Sequence, residues 1–378
     1  MRKAFISPSK YVQGEDELLN LGFYIQSLGE SALIIGNKED IDRVEDKLDQ
    51  TADKFDVELH RADFGGEATR KEVKRLKEIV KEKAIDVIVG LGGGKAIDTS
   101  KVVAGGQNVI VCPTIAAQDA PTSHSAVLYT EDHQFDDYAY FSKNPDVVLM
   151  DTSVIAQAPS RFLVAGMGDT LATYYEARAT RQSNSNVNAG LPNGFHEGAT
   201  GPAKGTIAAM TLAEKSLEIV LEKGYNAKIA ADQNIVTPAL EDIVEANTLL
   251  SGLGFESAGL AASHAIYNGL TALDGPGNYY HGEQVAFTTF VQLVLEDAPQ
   301  SEIEELLDFS LSVGLPVSLA DLDVKEVKYE EILEVAKKAS IPEESIHSMP
   351  FEITVEGVAQ AIVGADAIGR DYKEKKSQ

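Results

Sequence analysis

The sequence is short of three things: cysteine, long apolar runs and positive charge. Its single cysteine, Cys112, excludes an intrachain disulfide. This residue ends the apolar run 109–112, so we expect a buried, inert thiol rather than a nucleophile. No apolar run is long enough to span a bilayer, and the residues after Met1 lack a signal-peptide pattern. We therefore expect a cytoplasmic protein without membrane association.

Basic residues are scarce, with 33 Lys and Arg against 59 Asp and Glu and a formal net charge of -26 at pH 7. A chain of this charge repels phosphate backbones and anionic lipid surfaces, which excludes nucleic acids and membranes as partners. The simplest interpretation of the acidity is solubility. The 378 residues are enough for two domains, each with its own core.

The first half of the chain alternates apolar segments with amphipathic ones. Strands are predicted at five short segments: 32–35, 57–60, 85–89, 109–112 and 147–150. The charged segment 69–82 places its apolar residues on one face and predicts a helix. Strands that alternate with helices indicate a mostly parallel sheet with helices on both faces.

The second half of the chain is predicted to be mainly helical, with a domain boundary near Ser160. Apolar periodicity predicts a helix at 206–223 that stops at Gly224, and a second at 303–311 that is followed by Gly314.

The segment 182–204 is rich in Asn, Gly and Ser, so we interpret it as a loop or insertion.

A glycine cluster runs from Gly90 to Asp98, directly after a predicted strand and at the start of a helix. Glycines at such a turn let backbone N–H groups approach a phosphate, and the helix N-terminus favours negative charge. Lys95 adds a positive charge. The pattern is neither G-x-G-x-x-G nor a P-loop. It indicates a phosphate or dinucleotide site, and a plain turn between strand and helix is the alternative.

A second polar segment runs from Pro113 to Tyr129 and follows another predicted strand. Open α/β sheets bind their ligands at the carboxyl edge, where this segment would lie. Its small residues, its hydroxyls and the carboxylate of Asp119 suit a small polar ligand. A structured surface loop is the alternative.

A dispersed set of three residues combines one carboxylate with two imidazoles: Asp169, His264 and His281. Such a set suits a divalent metal and leaves a coordination position open for substrate. Taken singly, each residue has a structural alternative, since Asp169 could cap a helix and either histidine could lie in the core. Their spacing alone does not connect them.

Together these segments resemble the glycerol dehydrogenase family of the iron-containing alcohol dehydrogenase superfamily. The resemblance runs nearly end to end and includes four further segments: 5–14, 144–148, 247–257 and 346–350. It implies the dehydroquinate synthase-like fold. In that fold an α/β Rossmann-like domain (residues 1–160) binds the dinucleotide, and an all-α domain (residues 161–378) binds metal and substrate.

The resemblance also implies roles for individual residues. Asp169, His264 and His281 would hold a zinc ion, and Asp119 and His264 would contact a small polyol, which makes these four the catalytic residues. The implied NAD-binding residues are Asn37, Gly93, Gly94, Lys95, Asp98, Thr114, Ala117, Ser123, Ser125 and Tyr129. The implied reaction is hydride transfer between a secondary alcohol of the polyol, as in glycerol and dihydroxyacetone, and the nicotinamide. The zinc lowers the pKa of the hydroxyl. We also expect a homo-oligomer.

Several positions depart from the family pattern. Asn37 replaces an aspartate at the adenosine ribose, which leaves NADP as an alternative cofactor. Tyr267 replaces a histidine near the metal, Gln118 replaces a small residue, and Ser125 replaces an aliphatic residue. Thr173 stands where iron-type relatives carry a further histidine, and this favours the three-ligand zinc site.

Three other functions stay open at this point. The first is a dehydrogenase for another diol or hydroxy acid on the same scaffold. The second is a lyase related to dehydroquinate synthase, against which stands the lack of an added basic cluster. The third is a non-catalytic binding protein, against which stands the intact metal set. The fold alone does not choose between them.

Overall fold

The structure is a computed structural model that describes residues 1–190 and 201–378. Eight strands lie in its first 151 residues: β1 Lys10–Gly14, β2 Ser31–Gly36, β3 Glu58–Asp63, β4 Val87–Gly92, β5 Val109–Pro113, β6 Ser125–Tyr129, β7 Phe135–Tyr140 and β8 Val147–Asp151. Six of them form one parallel sheet in the order β1-β8-β5-β4-β2-β3. The other two, β6 and β7, form an antiparallel hairpin. The predicted parallel sheet is therefore confirmed.

Four helices connect successive strands of the sheet half, and a fifth follows the last strand. They are α1 Leu21–Gln26, α2 Lys38–Phe55, α3 Arg70–Glu82, α4 Gly94–Ala104 and the short α5 Thr152–Ala156. Helix α3 is capped by Thr69, whose side chain accepts a hydrogen bond from the N–H of Glu72. The central strands β4, β5 and β8 are buried along their whole length, which explains why their sequences are nearly continuous apolar runs rather than alternating ones.

In the part of the second half that the structure describes, nine α-helices follow: α6 Ser160–Gln182, α7 Ile207–Asp232, α8 Pro238–Glu245, α9 Ser251–Ala258, α10 Ala262–Leu270, α11 His281–Leu295, α12 Gln300–Val313, α13 Tyr329–Ala339 and α14 Val355–Lys376. A π-helical turn at Ala246–Leu250 joins α8 to α9. Within the described residues no helix is both long and apolar enough to cross a membrane. Helix α6 begins at Ser160, the position of the predicted boundary. The division into domains 1–160 and 161–378 stays a prediction.

The predicted stop at Gly224 is wrong, because α7 continues through it to Asp232. A Cβ atom at Gly224 would lie 2.7 Å from the ring of Phe309 on α12. This glycine therefore permits close packing of two helices rather than ending one. By contrast, Gly314 does end α12, with a φ of 86° in the left-handed region.

The predicted insertion 182–204 falls partly outside the described residues, since 191–200 are not among them. Residues 183–190 and 201–206 contain no helix or strand beyond two isolated bridges, one between Val187 and Ala203 and one between Lys204 and Lys3. The prediction of a loop is confirmed for these described parts only.

Candidate functional site

Three helices bring the predicted metal ligands together. Asp169 lies in the middle of α6, His264 lies in α10, and His281 is the first residue of α11. Their ligand atoms all lie within 4.8 Å of one another. Oδ1 of Asp169 is 3.1 Å from Nε2 of His281 and 3.3 Å from Nε2 of His264. Asp169 therefore does not cap a helix, and the two histidines lie together at its carboxylate.

Two glycines make this cluster possible. A Cβ atom at Gly282 would lie 1.8 Å from the carbonyl oxygen of Ala165, and one at Gly168 would lie 2.2 Å from the carbonyl oxygen of Gly282. The start of α11 therefore rests directly on the backbone of α6. This contact places His281 against Asp169.

The donor set fits a divalent cation. Oδ2 of Asp169 is buried and has no hydrogen-bond partner among the described residues, a costly arrangement that a bound cation would relieve. Although burial opposes it, the two imidazoles lower the pKa of Asp169. Burial would lower the pKa of His264, but Glu176 and Asp169 raise it well above its ordinary value. One carboxylate and two imidazoles are the ligands that a zinc-type site uses.

Asp119 lies beside this cluster, in the loop after β5. Its Oδ2 accepts a hydrogen bond of 3.2 Å from Ser251 on α9, and Ser251 is 2.7 Å from the hydroxyl of Thr173. Desolvation and the nearby charge of Asp169 raise the pKa of Asp119 well above its ordinary value. The carboxylate of Asp119 is thus held beside the cluster of predicted metal ligands by Ser251, a residue of the helical half.

Thr173 offers no third imidazole to this site. Its Cγ2 lies 2.4 Å from the place that a Cβ atom of Gly254 would occupy. Helices α6 and α9 therefore pack closely at this position.

Tyr267 packs edge-on against His281, one of the predicted metal ligands. Its ring centroid is 4.4 Å from that of His281, with an interplanar angle of 89°. Burial, followed by the charge of Asp169, raises the pKa of Tyr267. Its phenol therefore stays protonated near neutral pH.

The glycine cluster forms the turn from β4 into α4, as predicted. Gly92 has a φ of 137°, which favours glycine, and Gly93 is the N-cap of α4. The amide of Gln118 lies over this turn, because its Nε2 is 1.6 Å from the place of a Cβ atom at Gly94. Gln118 thus faces the turn while its neighbour Asp119 faces the metal cluster.

Lys95 and Tyr129 lie together beside the glycine turn. The Lys95 ammonium is 5.1 Å from the centroid of the Tyr129 ring and 2.7 Å from Oε2 of Glu67. Glu67 also accepts a hydrogen bond of 2.5 Å from Nδ1 of His133. The sequence interpretation missed Glu67, which has no motif around it.

Asp98 and Ser123 belong to a buried polar group around Lys101. The Lys101 ammonium donates to the Ser123 hydroxyl at 3.2 Å and to the Ser125 carbonyl at 3.0 Å. Asp98 accepts from the backbone N–H of Val127 at 3.0 Å, and its buried Oδ1 lies 3.6 Å from the Lys101 ammonium. These side chains anchor the β6–β7 hairpin to α4.

Of the remaining predicted cofactor residues, Thr114 contacts the turn directly. The N–H of Thr114 donates to the carbonyl of Gly92, and Ala117 is in the same loop as Gln118. The hydroxyl of Ser125 is 3.4 Å from that of Ser123.

Asn37 is the N-cap of α2, directly after β2. Its Nδ2 donates a hydrogen bond of 3.0 Å to Oδ2 of Asp40, while its own Oδ1 is buried without a partner among the described residues. That Asp40 oxygen lies 3.2 Å from the place of a Cβ atom at Gly92. A carboxylate therefore stands between Asn37 and the glycine turn, although residue 37 itself has none.

Comparisons with known proteins show which sequences this chain is similar to. The sequence profile of the iron-containing alcohol dehydrogenases matches residues 8–152. The chain is 44% identical to a glycerol dehydrogenase of Pseudomonas putida, with 99% of this chain and 100% of the relative covered. It is 38% identical to a glycolaldehyde reductase of Halobacterium salinarum, with 99% of this chain and 100% of that relative covered.

A solved structure gives the same result. The crystal structure of glycerol dehydrogenase from Schizosaccharomyces pombe superposes with a TM-score of 0.91 at 35% identity, and the match covers 99% of this chain and 93% of that chain. A match of this extent confirms the expected fold, with a parallel-sheet half followed by a helical half.

Proposed function

The chain belongs to the glycerol dehydrogenase family within the iron-containing alcohol dehydrogenases, and from this premise we propose that it transfers a hydride between a small polyol and NAD. The substrate that we propose first is glycerol, oxidised at its secondary alcohol to dihydroxyacetone. The established family makes the chain an oxidoreductase, and the substrate, the cofactor and the metal are the parts of this proposal that need direct tests.

One observation carries the proposal: the dipeptide Gln118–Asp119 joins the two halves of the site. Gln118 lies over the glycine turn at Gly94, whereas Asp119 bonds Ser251 beside the metal cluster. A dinucleotide on the turn and a hydroxyl at the cluster would therefore be neighbours, which hydride transfer requires.

In the proposed reaction three residues bind the metal and a fourth orients the substrate. Asp169, His264 and His281 would hold the metal, and we propose zinc because Thr173 stands where iron-type relatives carry a further histidine. A bound zinc ion would act as a Lewis acid on the substrate and lower the pKa of its hydroxyl. Asp119 would accept a hydrogen bond from a polyol hydroxyl and so orient the carbon that loses the hydride.

The cofactor would lie along the carboxyl edge of the sheet. The N-terminus of α4 and Lys95 favour a pyrophosphate, and the unpartnered Oδ1 of Asn37 can accept a bond from an adenosine ribose hydroxyl. The carboxylate of Asp40 at the same place would repel a 2′-phosphate. We therefore propose NAD rather than NADP as the working cofactor.

The likeness to a glycolaldehyde reductase along the whole chain favours a second candidate substrate, a short hydroxyaldehyde. Its reduction would be the same hydride transfer in the opposite direction, from the reduced nicotinamide to the carbonyl carbon. Metal, cofactor and fold would be unchanged, so only the group held by Asp119 would differ.

An absorbance assay of nicotinamide reduction and oxidation tests the proposal. Metal-replete protein is offered glycerol, other diols, hydroxy acids, dihydroxyacetone and glycolaldehyde, each with NAD and NADP. We expect the highest kcat/KM for the glycerol and dihydroxyacetone pair. A higher value for glycolaldehyde would favour the second candidate, and no turnover with any of them would favour a lyase or a binding protein.

We also propose a cytoplasmic homo-oligomer, with residues 1–160 as the cofactor domain and residues 161–378 as the metal and substrate domain. Support for assembly comes from α7, where Tyr225 and Ile229 lie one turn apart with 53% and 43% of their surfaces exposed. Light scattering in solution measures the oligomeric state directly, and a monomer at every concentration would contradict it.

A further inference from the structure

Glu176 is a buried carboxylate directly behind one of the metal ligands. It lies on α6, seven residues and two turns after Asp169, so both side chains leave the same face of the helix. Its exposed fraction is 0%. Oε1 accepts hydrogen bonds from the backbone N–H groups of Ala261 at 2.9 Å and His264 at 3.0 Å. Oε2 lies 2.6 Å from Nδ1 of the His264 ring.

We propose that Glu176 is a positioning residue that fixes the tautomer and the ring orientation of His264 for metal binding. A carboxylate offers only lone pairs to Nδ1, so the proton of the neutral ring stays on Nδ1. Nε2 then presents its lone pair on the side of Asp169 and His281. This inference rests on the metal site of the proposed function and adds a residue that is not a ligand.

The two hydrogen bonds to Oε1 fix the orientation of the Glu176 carboxylate more strictly than a single hydrogen bond would. They tie Glu176 to the first turn of α10, so the ring and the backbone of His264 are held by the same group. The carboxylate cannot rotate without leaving two buried N–H groups unpaired. The direction of Oε2 toward the ring is therefore set by the backbone.

Glutamine cannot reproduce this pattern in either orientation. If its carbonyl oxygen accepts from the backbone of Ala261 and His264, its NH2 group faces Nδ1, which must then be the bare nitrogen. The proton moves to Nε2, and a protonated Nε2 cannot bind a metal ion. If the amide turns over, its NH2 group faces two backbone N–H donors instead. Glu176→Gln keeps the shape of the side chain and therefore tests the tautomer.

The chain contains a matched control. Glu256 also has an exposed fraction of 0%, accepts from the backbone N–H of His124 at 2.7 Å and bonds Nδ1 of the same ring. A further bond of 2.5 Å comes from Asn144. His124 is not one of the proposed metal ligands. Glu256→Gln thus removes the same buried charge from the same kind of contact without touching the metal cluster.

The first measurement is zinc affinity, by competition with a chromophoric chelator on metal-stripped full-length protein. We expect Glu176→Gln to bind zinc about 10- to 100-fold more weakly than wild type, the range typical for groups that orient a metal ligand. Glu256→Gln should bind zinc as wild type does. Equal affinity in wild type and Glu176→Gln would overturn the proposal.

The second measurement does not depend on a variant that folds. In wild-type protein with histidine labelled with nitrogen-15, zinc-bound His264 should show a slowly exchanging Nδ1 proton with zinc on Nε2. Zinc on Nδ1 would overturn the proposal. If zinc affinity falls in Glu176→Gln while wild type turns over no polyol, the positioning role stands and the proposed function fails. If wild type turns over glycerol and Glu176→Gln binds zinc as tightly as wild type does, the proposed function stands and the positioning role of Glu176 fails.

Discussion

The side-chain amide of Asn37 donates a hydrogen bond of 3.0 Å to the carboxylate of Asp40, which faces Gly92 of the glycine turn. From the sequence, residue 37 carries no charge to repel a 2′-phosphate, and weak discrimination against NADP was the expectation. The structure supplies that charge one helical turn later. Asp40 is therefore the residue on which the choice of cofactor should depend.

We predict that Asp40→Asn improves binding of NADP relative to NAD by about tenfold, or ~1.4 kcal/mol, because one repelling charge is removed at a partly screened site. Titration of cofactor fluorescence gives both dissociation constants. Asn37→Asp should shift the ratio the other way, mainly by weakening NADP. An Asp42→Asn variant, which removes an exposed carboxylate paired with Lys38, is the control. An unchanged ratio in Asp40→Asn would show that this carboxylate does not face the ribose.

The metal should be required for turnover. Replacing His264 or His281 by alanine removes one of three ligands, and we expect activity to fall by at least about a thousandfold, because the Lewis acid supplies much of the rate. A chelator should have the same effect on wild type, and added zinc should reverse it. His60→Ala, on strand β3, should keep full activity. Full activity of protein shown to be free of metal would refute the mechanism.

Gly282 should be needed for the geometry of the metal site. In Gly282→Ala the new methyl group would overlap the carbonyl of Ala165, 1.8 Å away, and push α11 off α6. We expect zinc affinity to fall by at least about tenfold, with a loss of about 1–3 kcal/mol in unfolding free energy from overpacking. Chelator competition and urea denaturation measure the two effects. Gly277→Ala, where a Cβ atom meets nothing within 4 Å, should change neither.

Tyr267 should limit proton transfer. Its pKa is raised by burial and by Asp169, so the phenol is a poor proton carrier near neutral pH. Histidine at this position titrates near neutrality, and we expect Tyr267→His to raise turnover at pH 7 roughly tenfold or to move the pH optimum downward. The pH profile of kcat is the measurement. Tyr267→Phe keeps the ring and should match wild type; identical profiles for all three proteins would mean that water carries the proton.

The sequence predicts those helices and strands that leave a local pattern of apolar residues. The strand at 32–35 and the helix at 69–82 were predicted correctly, since buried parallel strands and amphipathic helices leave local periodic patterns. Gly224 was misread because a glycine that ends a helix and one that lets another helix approach look the same in sequence. The difference lies in Phe309, which packs on it from 85 positions away.

The site shows the same division. The family resemblance indicated Asp169, His264 and His281 as a metal-binding set. Their spacing in the sequence did not predict that the three side chains lie close together. Glu176 carried a local signal, two helical turns from Asp169, but nothing in the sequence shows that its carboxylate meets the ring of His264. Asp40 has no motif around it and is one of the acidic residues in the first turn of α2.

By itself the sequence determined the alternation of strands and helices, the glycine turn and the kinds of side chain available for chemistry, because each of these depends on residues close together in the chain. Only the tertiary structure decided which side chains meet. The distance from Asp169 to His281 depends on a backbone contact between α6 and α11, and the carboxylate near Gly92 depends on where α2 starts relative to β4. Contacts between segments far apart in the chain leave no periodic pattern in either segment, because each partner's environment is supplied by the other.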